Sequence, residues 1–147
     1  MAETRVLVVA NKTAATPALL DAVRERAARG DCRFTLLVPN PVHGLHQVVD
    51  REDASHGEAD ATIALAVPLL EEAAGGEVEA IVGDSEPLAA IQDAINLRGF
   101  DEIILSTLPS RVSRWMRMDL PSKAQGLGLP LTVVTAKSGR EAAEAGT

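Results

Sequence analysis

Three arginines at a spacing of three, Arg111, Arg114 and Arg117, share eight positions with Trp115, the chain's one tryptophan, and with Met116 and Met118. On a helix the arginines fall within one broad stripe, with Trp115 and Met118 near its edge. Guanidinium groups clustered in this way are suited to holding a phosphate bidentately. The plainer reading is a solvated basic face that pairs with surplus acids while Trp115 and the methionines pack on a neighbouring element. Residue types alone leave both readings open.

Other candidates for chemistry are thinner. His43, His46 and His56 share one long connection with Asp50 and Asp53, where a metal would have several donors. The spacing fixes no geometry, however, and the stretch reads as a solvated loop, so no metal site is expected. Asp50, Glu52 and Asp53 read as charged surface, since nothing in the sequence buries them as a catalytic pair. Cys32 is the sole cysteine, which rules out an intrachain disulfide and implies a reducing compartment. It reads as a small apolar residue beside a strand.

Several motifs are missing from the sequence. There is no G-x-x-x-x-G-K-[ST] and no G-x-S-x-G, and the "GLG" at 126–128 precedes a strand instead of following one. A Walker-type NTPase, a plain Rossmann dehydrogenase and an α/β-hydrolase are therefore not expected.

These residues must be positioned by a fold that the composition constrains. The chain's 147 residues suit one domain, and 46% apolar with only 2% aromatic residues calls for a core of Val, Leu, Ile and Ala. That is the material of a parallel α/β core. A net charge of −7 opposes nonspecific attraction to nucleic acid or to an anionic membrane. No apolar run reads as a signal peptide or approaches membrane-spanning length, and a soluble cytoplasmic protein is expected.

Five β-branched runs, at 5–10, 33–39, 78–83, 101–107 and 131–136, read as strands covered on both faces. The intervening segments read as helices. The first is capped by Thr16, opened by Pro17 and closed by Gly30, with Leu19, Leu20, Val23 and Ala27 buried. The second opens at a Ser55–Glu58 capping box and stops at Gly75 and Gly76, with a kink at Pro68. The third follows Asp84 or Ser85, buries Leu88, Ile91 and Ile95, and ends near Gly99. A short fourth begins at Asp119 and ends around 126–128. Alternation and right-handed crossovers give an open, doubly wound α/β sheet with helices on both faces. Residues 1–136 form the domain, and 137–147 read as a mobile tail. Ligands of such a sheet bind at the carboxyl ends of its strands, which directs attention to the loops after Ala10, Val38, Gly83 and Thr107.

The order and spacing of these pieces resemble the universal stress protein family over residues 3–136. The resemblance rests on "RVLVVANKT" at the start, "LLVPNP" after the second strand, Gly83 ending "EAIVG", and "DEIILST" followed by "LPLTVV". It implies a five-stranded parallel sheet of the adenine nucleotide alpha hydrolase-like kind, in the order 3-2-1-4-5, frequent homodimers, and two subgroups, only one of which binds ATP. Members that bind ATP carry G-x2-G-x9-G-[ST] after the fourth strand, where glycines admit phosphates to the backbone. Aligned by that spacing, this chain has Ser106, Pro109, Asp119 and Leu120 instead. Pro109 lacks a donor N–H, and a carboxylate at Asp119 would cap the helix where phosphate charge should lie. Asn11 stands where the family's adenine-contacting Asp is usual, and Val38 matches a residue lining the adenine pocket.

The resemblance therefore implies a stress-associated binding or regulatory module that is not an enzyme and does not hold ATP through the usual glycines. The alternative is an ATP or other phosphate-ligand site, at most a slow ATPase, built from Asn11, Lys12, Thr13, Val38, Ser106, Thr107, Arg111 and Arg114. A homodimer through the last strand is expected, with a possible protein partner at Arg111–Lys123 anchored by Trp115.

Overall fold

The computed structural model describes residues 4–11, 13–40, 49–108 and 114–135, with the backbone alone over 49–58 and at Arg114 and Arg117. The strands are β1 (Thr4–Val9), β2 (Cys32–Pro39), β3 (Val78–Gly83), β4 (Glu102–Thr107) and β5 (Leu131–Thr135). The helices are α1 (Pro17–Ala28), α2 (Val49–Ala74), α3 (Pro87–Arg98), the single turn α4 (Arg114–Arg117) and α5 (Leu120–Gln125). All pairings are parallel, and the sheet runs β3-β2-β1-β4-β5. The expected architecture and strand order are both observed.

Strand alternation sorts the core into two layers. Val6 and Val8 of β1, Leu36 and Val38 of β2 and Ile104 of β4 pack with Leu19 and Val23 of α1 and Ala66 and Leu70 of α2. Leu7 and Val9, Leu37, Ile103 and Leu105 face the other way, onto Ala90, Ile91 and Ala94 of α3 and Leu120 of α5. Central strands buried on both sides leave no polar face to write into the sequence, hence the continuous apolar runs. Gly83 makes one of these contacts possible. A Cβ there would stand 2.7 Å from the Ala90 Cβ and 2.8 Å from the Leu37 Cδ1, so any side chain would push α3 off the sheet.

Several helix boundaries differ from expectation. The backbone of α2 is helical from Val49, so Ser55 and Glu58 lie inside the helix, and the segment read as loop contributes its first turns. The helix continues through Pro68. Thr16 is the N-cap residue of α1, but its side chain does not cap; its Oγ1 donates to the Thr13 carbonyl at 2.9 Å. Glu86, one residue beyond the expected start, caps α3 by accepting from the amides of Leu88 and Ala89. Asp84 holds that turn by accepting from the Glu86 amide at 2.9 Å.

The arginine stretch does not form one long helix among the described residues, where α4 spans only Arg114–Arg117. The side chains of Arg114 and Arg117, together with Lys12, Pro109, Arg111, His43, His46, the side chain of His56 and the tail, lie outside the described residues. No helix among the described residues is long and apolar enough to cross a membrane.

Candidate functional site

β1 is the point where strand order reverses. The chain moves from β1 to β2 and β3 on one side and to β4 and β5 on the other. The crevice beyond the carboxyl ends of β1 and β4 is therefore where a doubly wound sheet accepts a ligand. Asn11 and Thr13 follow β1, Val38 lies at the end of β2, and Ser106 and Thr107 close β4. The structure thus brings five of the expected site residues to one edge of the sheet.

The loop after β1 is drawn tight by two turn bonds, Ala14 N–H to the Asn11 carbonyl and Thr16 N–H to the Thr13 carbonyl, both 3.1 Å. This buries the Thr13 side chain to 2% exposure, against Ser106 at 1%. The Thr13 Oγ1 and Ser106 Oγ share a hydrogen bond of 2.7 Å, so two side chains 93 residues apart in sequence span the crevice. Val38 is fully buried and belongs to the layer under α1 and α2. Alternation from Ile104 places Ser106 on that same layer and Thr107 on the opposite one.

Asn40, which the sequence did not single out, joins the site. Its backbone N–H donates 3.0 Å to the Gly83 carbonyl, extending the β2–β3 ladder by one residue. Its Oδ1 is buried without a hydrogen-bond partner among the described residues, as is the Thr107 Oγ1. Such orphans are uncommon in folded proteins and each one is unfavourable. A signal for Asn40 existed, since it stands between two prolines directly beyond a strand that adjoins β1.

The remaining motif positions have structural duties. Leu120 is 1% exposed and packs in the layer with Leu7, Ile91 and Phe100. Asp119 is in the left-handed conformation, φ 57° and ψ 39°, and is the one non-glycine residue with positive φ among the described residues. Contrary to expectation its carboxylate caps nothing; only its backbone carbonyl engages α5, accepting from Lys123 N–H at 3.2 Å. Capping side chains reach the first amides of a helix from extended backbone, which the left-handed Asp119 does not have. Trp115 is half-buried against the α3–α5 layer, so part of the expected partner anchor is used within the fold.

A cavity of about 390 Å³ lies at the opposite, amino end of the sheet, lined by Asp31, Cys32, Arg33, Gly75, Glu77 and Glu79 among others. It contains none of the site residues. Among the described residues no group of His, Cys, Asp and Glu is arranged to hold a metal. Close by, Arg26 grips Glu102 through three hydrogen bonds of 2.7–3.1 Å. That hydrogen-bonded carboxylate raises the pKa of the Arg26 guanidinium above its ordinary value, against the opposing effect of partial burial.

Solved structures of known proteins share this architecture. A universal stress protein from Archaeoglobus fulgidus matches with a TM-score of 0.64 at 19% identity, over 91% of this chain and 95% of its own. This chain has the universal stress protein fold. A universal stress protein from the same organism in complex with dAMP gives 0.61 at 18% identity, over 90% and 98%. A universal stress protein family protein from Arabidopsis thaliana with AMP bound gives 0.56 at 12%, over 90% and 91%. No family model matches the chain, and no curated protein matches it by sequence. At these identities the likeness is one of backbone, and side chains must be judged where they stand. On the universal stress protein fold of this chain, the described residues at the switch point present hydroxyl and amide groups to the crevice.

Proposed function

We propose that this chain is a stress-associated binding or regulatory module, without catalytic activity, that does not hold ATP through the glycine motif of nucleotide-binding universal stress proteins. One observation carries the reading: the buried 2.7 Å hydrogen bond between Thr13 and Ser106. The motif needs a glycine at position 106 so that backbone can approach phosphate. Here a side chain fills that position and is bonded across the crevice. The bound dAMP and AMP of two structural neighbours make nucleotide binding the natural question for this fold. The residues that would have to answer it fit poorly. Leu120 is committed to the core, and Asp119 adds a negative charge beside it. Ser106 meets a neutral threonine and no base among the described residues, so nothing supports it as a nucleophile.

The module is a homodimer through β5. This strand is an edge of the sheet, and Val133 on it is 39% exposed, a template for pairing with a second copy. Val133→Lys shifts the protein to the monomer elution volume on size exclusion; an unchanged volume refutes this interface.

Thermal denaturation with ATP, ADP and AMP tests the nucleotide reading, because a ligand selective for the folded state raises Tm by mass action. No rise with millimolar ATP is expected. A rise that Arg111→Ala with Arg114→Ala removes would support the phosphate-ligand alternative instead.

A further inference from the structure

The outward faces of the three long helices differ in kind. On α1 the exposed residues include Asp21, Arg24 and Glu25, and on α3 they are Gln92, Asp93, Asn96 and Arg98, with Leu97 the apolar exception. On α2 the exposed residues between Asp60 and Glu72 are Ala61, Ala64, Leu65 and Pro68, with Leu65 56% exposed. Residues 61–70, "ATIALAVPLL", contain one polar side chain, Thr62. A helix that is apolar all round is ordinarily covered all round, yet among the described residues α2 is covered on one side only, where Ala66 and Leu70 meet the sheet. Helical spacing gathers the four apolar residues and both acids within an arc of about 140°. Asp60 and Glu72, both exposed, stand at its two ends, about 18 Å apart along the axis. A single exposed leucine means little, whereas a continuous apolar stripe between charged ends marks an interaction surface. Pro68 adds to it. Proline is the least favourable residue for a helix interior, and its exposure shows that packing within the chain does not require the ring. It has no N–H to return to the Ala64 carbonyl, which leaves an acceptor on the stripe for an outside donor.

Charge decides what fits this face. A second copy laid antiparallel along the stripe sets Asp60 against Glu72, and one laid parallel sets each acid against itself. Both arrangements bring like charges together between chains that each carry −7. The small side chains of Ala61 and Ala64 allow another helix to approach closely, and cations at its two ends would meet Asp60 and Glu72. We propose that the outward face of α2 docks an amphipathic helix of another protein, with an apolar stripe and a basic residue at each end of it. This surface lies away from the switch-point crevice and is independent of whether the crevice holds a ligand.

The probe is a labelled synthetic helical peptide with an alanine- and leucine-lined face and a lysine at each end of that face, titrated with the whole chain and followed by fluorescence anisotropy. A saturable Kd below about 100 micromolar is expected, and at least about tenfold weaker binding when the two lysines are replaced by glutamates. Leu65→Glu should weaken the lysine peptide at least about tenfold while leaving Tm nearly unchanged, since an exposed side chain is replaced. Asp60→Lys with Glu72→Lys should reverse the preference toward the glutamate peptide, which distinguishes docking on this face from general attraction of a basic peptide to an acidic protein. Equal binding of the two peptides, binding of neither, or binding that Leu65→Glu leaves intact overturns the proposal. A shift of Leu65→Glu to a smaller species on size exclusion would assign the face to a second copy and overturn it as well. Binding that arises only once residues 137–147 are removed would assign the face to the chain's own tail, with the same consequence.

Discussion

The two ends of the sheet are built from different chemistry. At the amino end the strands are held by charge: Arg26 of α1 binds Glu102 at the start of β4, and Arg98 of α3 pairs with Glu79 of β3. The Asp101 carboxylate accepts from the Arg5 backbone amide at 2.8 Å, and the Glu71 carboxylate accepts from that of Val78 at 3.1 Å. Each of these contacts ties a strand start to a helix or to a neighbouring strand. Among the described site residues the carboxyl end has no such ties. Its described site residues are uncharged and only partly matched, with Thr13 and Ser106 bonded and the buried Asn40 Oδ1 and Thr107 Oγ1 left over. Groups left unsatisfied reduce stability, and they persist where something other than stability is selected. The contrast separates an end that fastens the fold from an end available for binding.

Substitutions at either end can break or sharpen that contrast. The largest effect should come from Leu120, where the alignment puts a phosphate-binding residue and the structure puts core. Leu120→Ala is expected to cost about 2–5 kcal/mol in urea denaturation. A cost below about 1 kcal/mol would return the position to the binding site. Next comes the amino end. Arg26 and Glu102 have side chains only 11% and 24% exposed, so Glu102→Ala should cost about 1–3 kcal/mol, between the values for surface and buried pairs. Nucleotide titrations should be unaffected by it; a changed affinity would mean that the two ends are coupled.

At the carboxyl end, Ser106→Ala strands a buried threonine hydroxyl and is expected to cost about 1–2 kcal/mol. Adding Thr13→Val should recover part of that loss, and a double-mutant cycle reads the coupling. Strict additivity would show that the 2.7 Å contact contributes nothing. The smallest effect has the opposite sign. Asp119→Gly relieves a left-handed backbone and should gain about 0.5 kcal/mol, the relief being partly offset by the greater freedom of unfolded glycine. A loss would show that the carboxylate has a partner of its own.

How far the sequence revealed this molecule follows the same division. The strands were legible because doubly covered strands carry unbroken β-branched runs, and each observed strand lies within one residue of its expected bounds at either end. The placement of Asn11, Thr13, Val38 and Ser106 near the switch point was legible too, since it follows from topology alone. What could not be read depends on contacts distant in sequence or on backbone conformation. The Arg26–Glu102 pair spans 76 residues, and the Thr13–Ser106 bond spans 93. Asp119 has the residue type of a helix cap, and only its left-handed φ reveals that its carboxylate does not serve as one. Ser55 and Glu58 have capping-box spacing, but spacing does not exclude a helix already under way at Val49.

The claim that decides the rest is that side chains at positions 106 and 120 have taken the places where ATP would need glycine and a hydroxyl. Calorimetric titration of magnesium ATP into the purified chain tests it directly. No saturable heat up to millimolar ATP is predicted. A micromolar Kd that Ser106→Gly leaves intact would contradict the account.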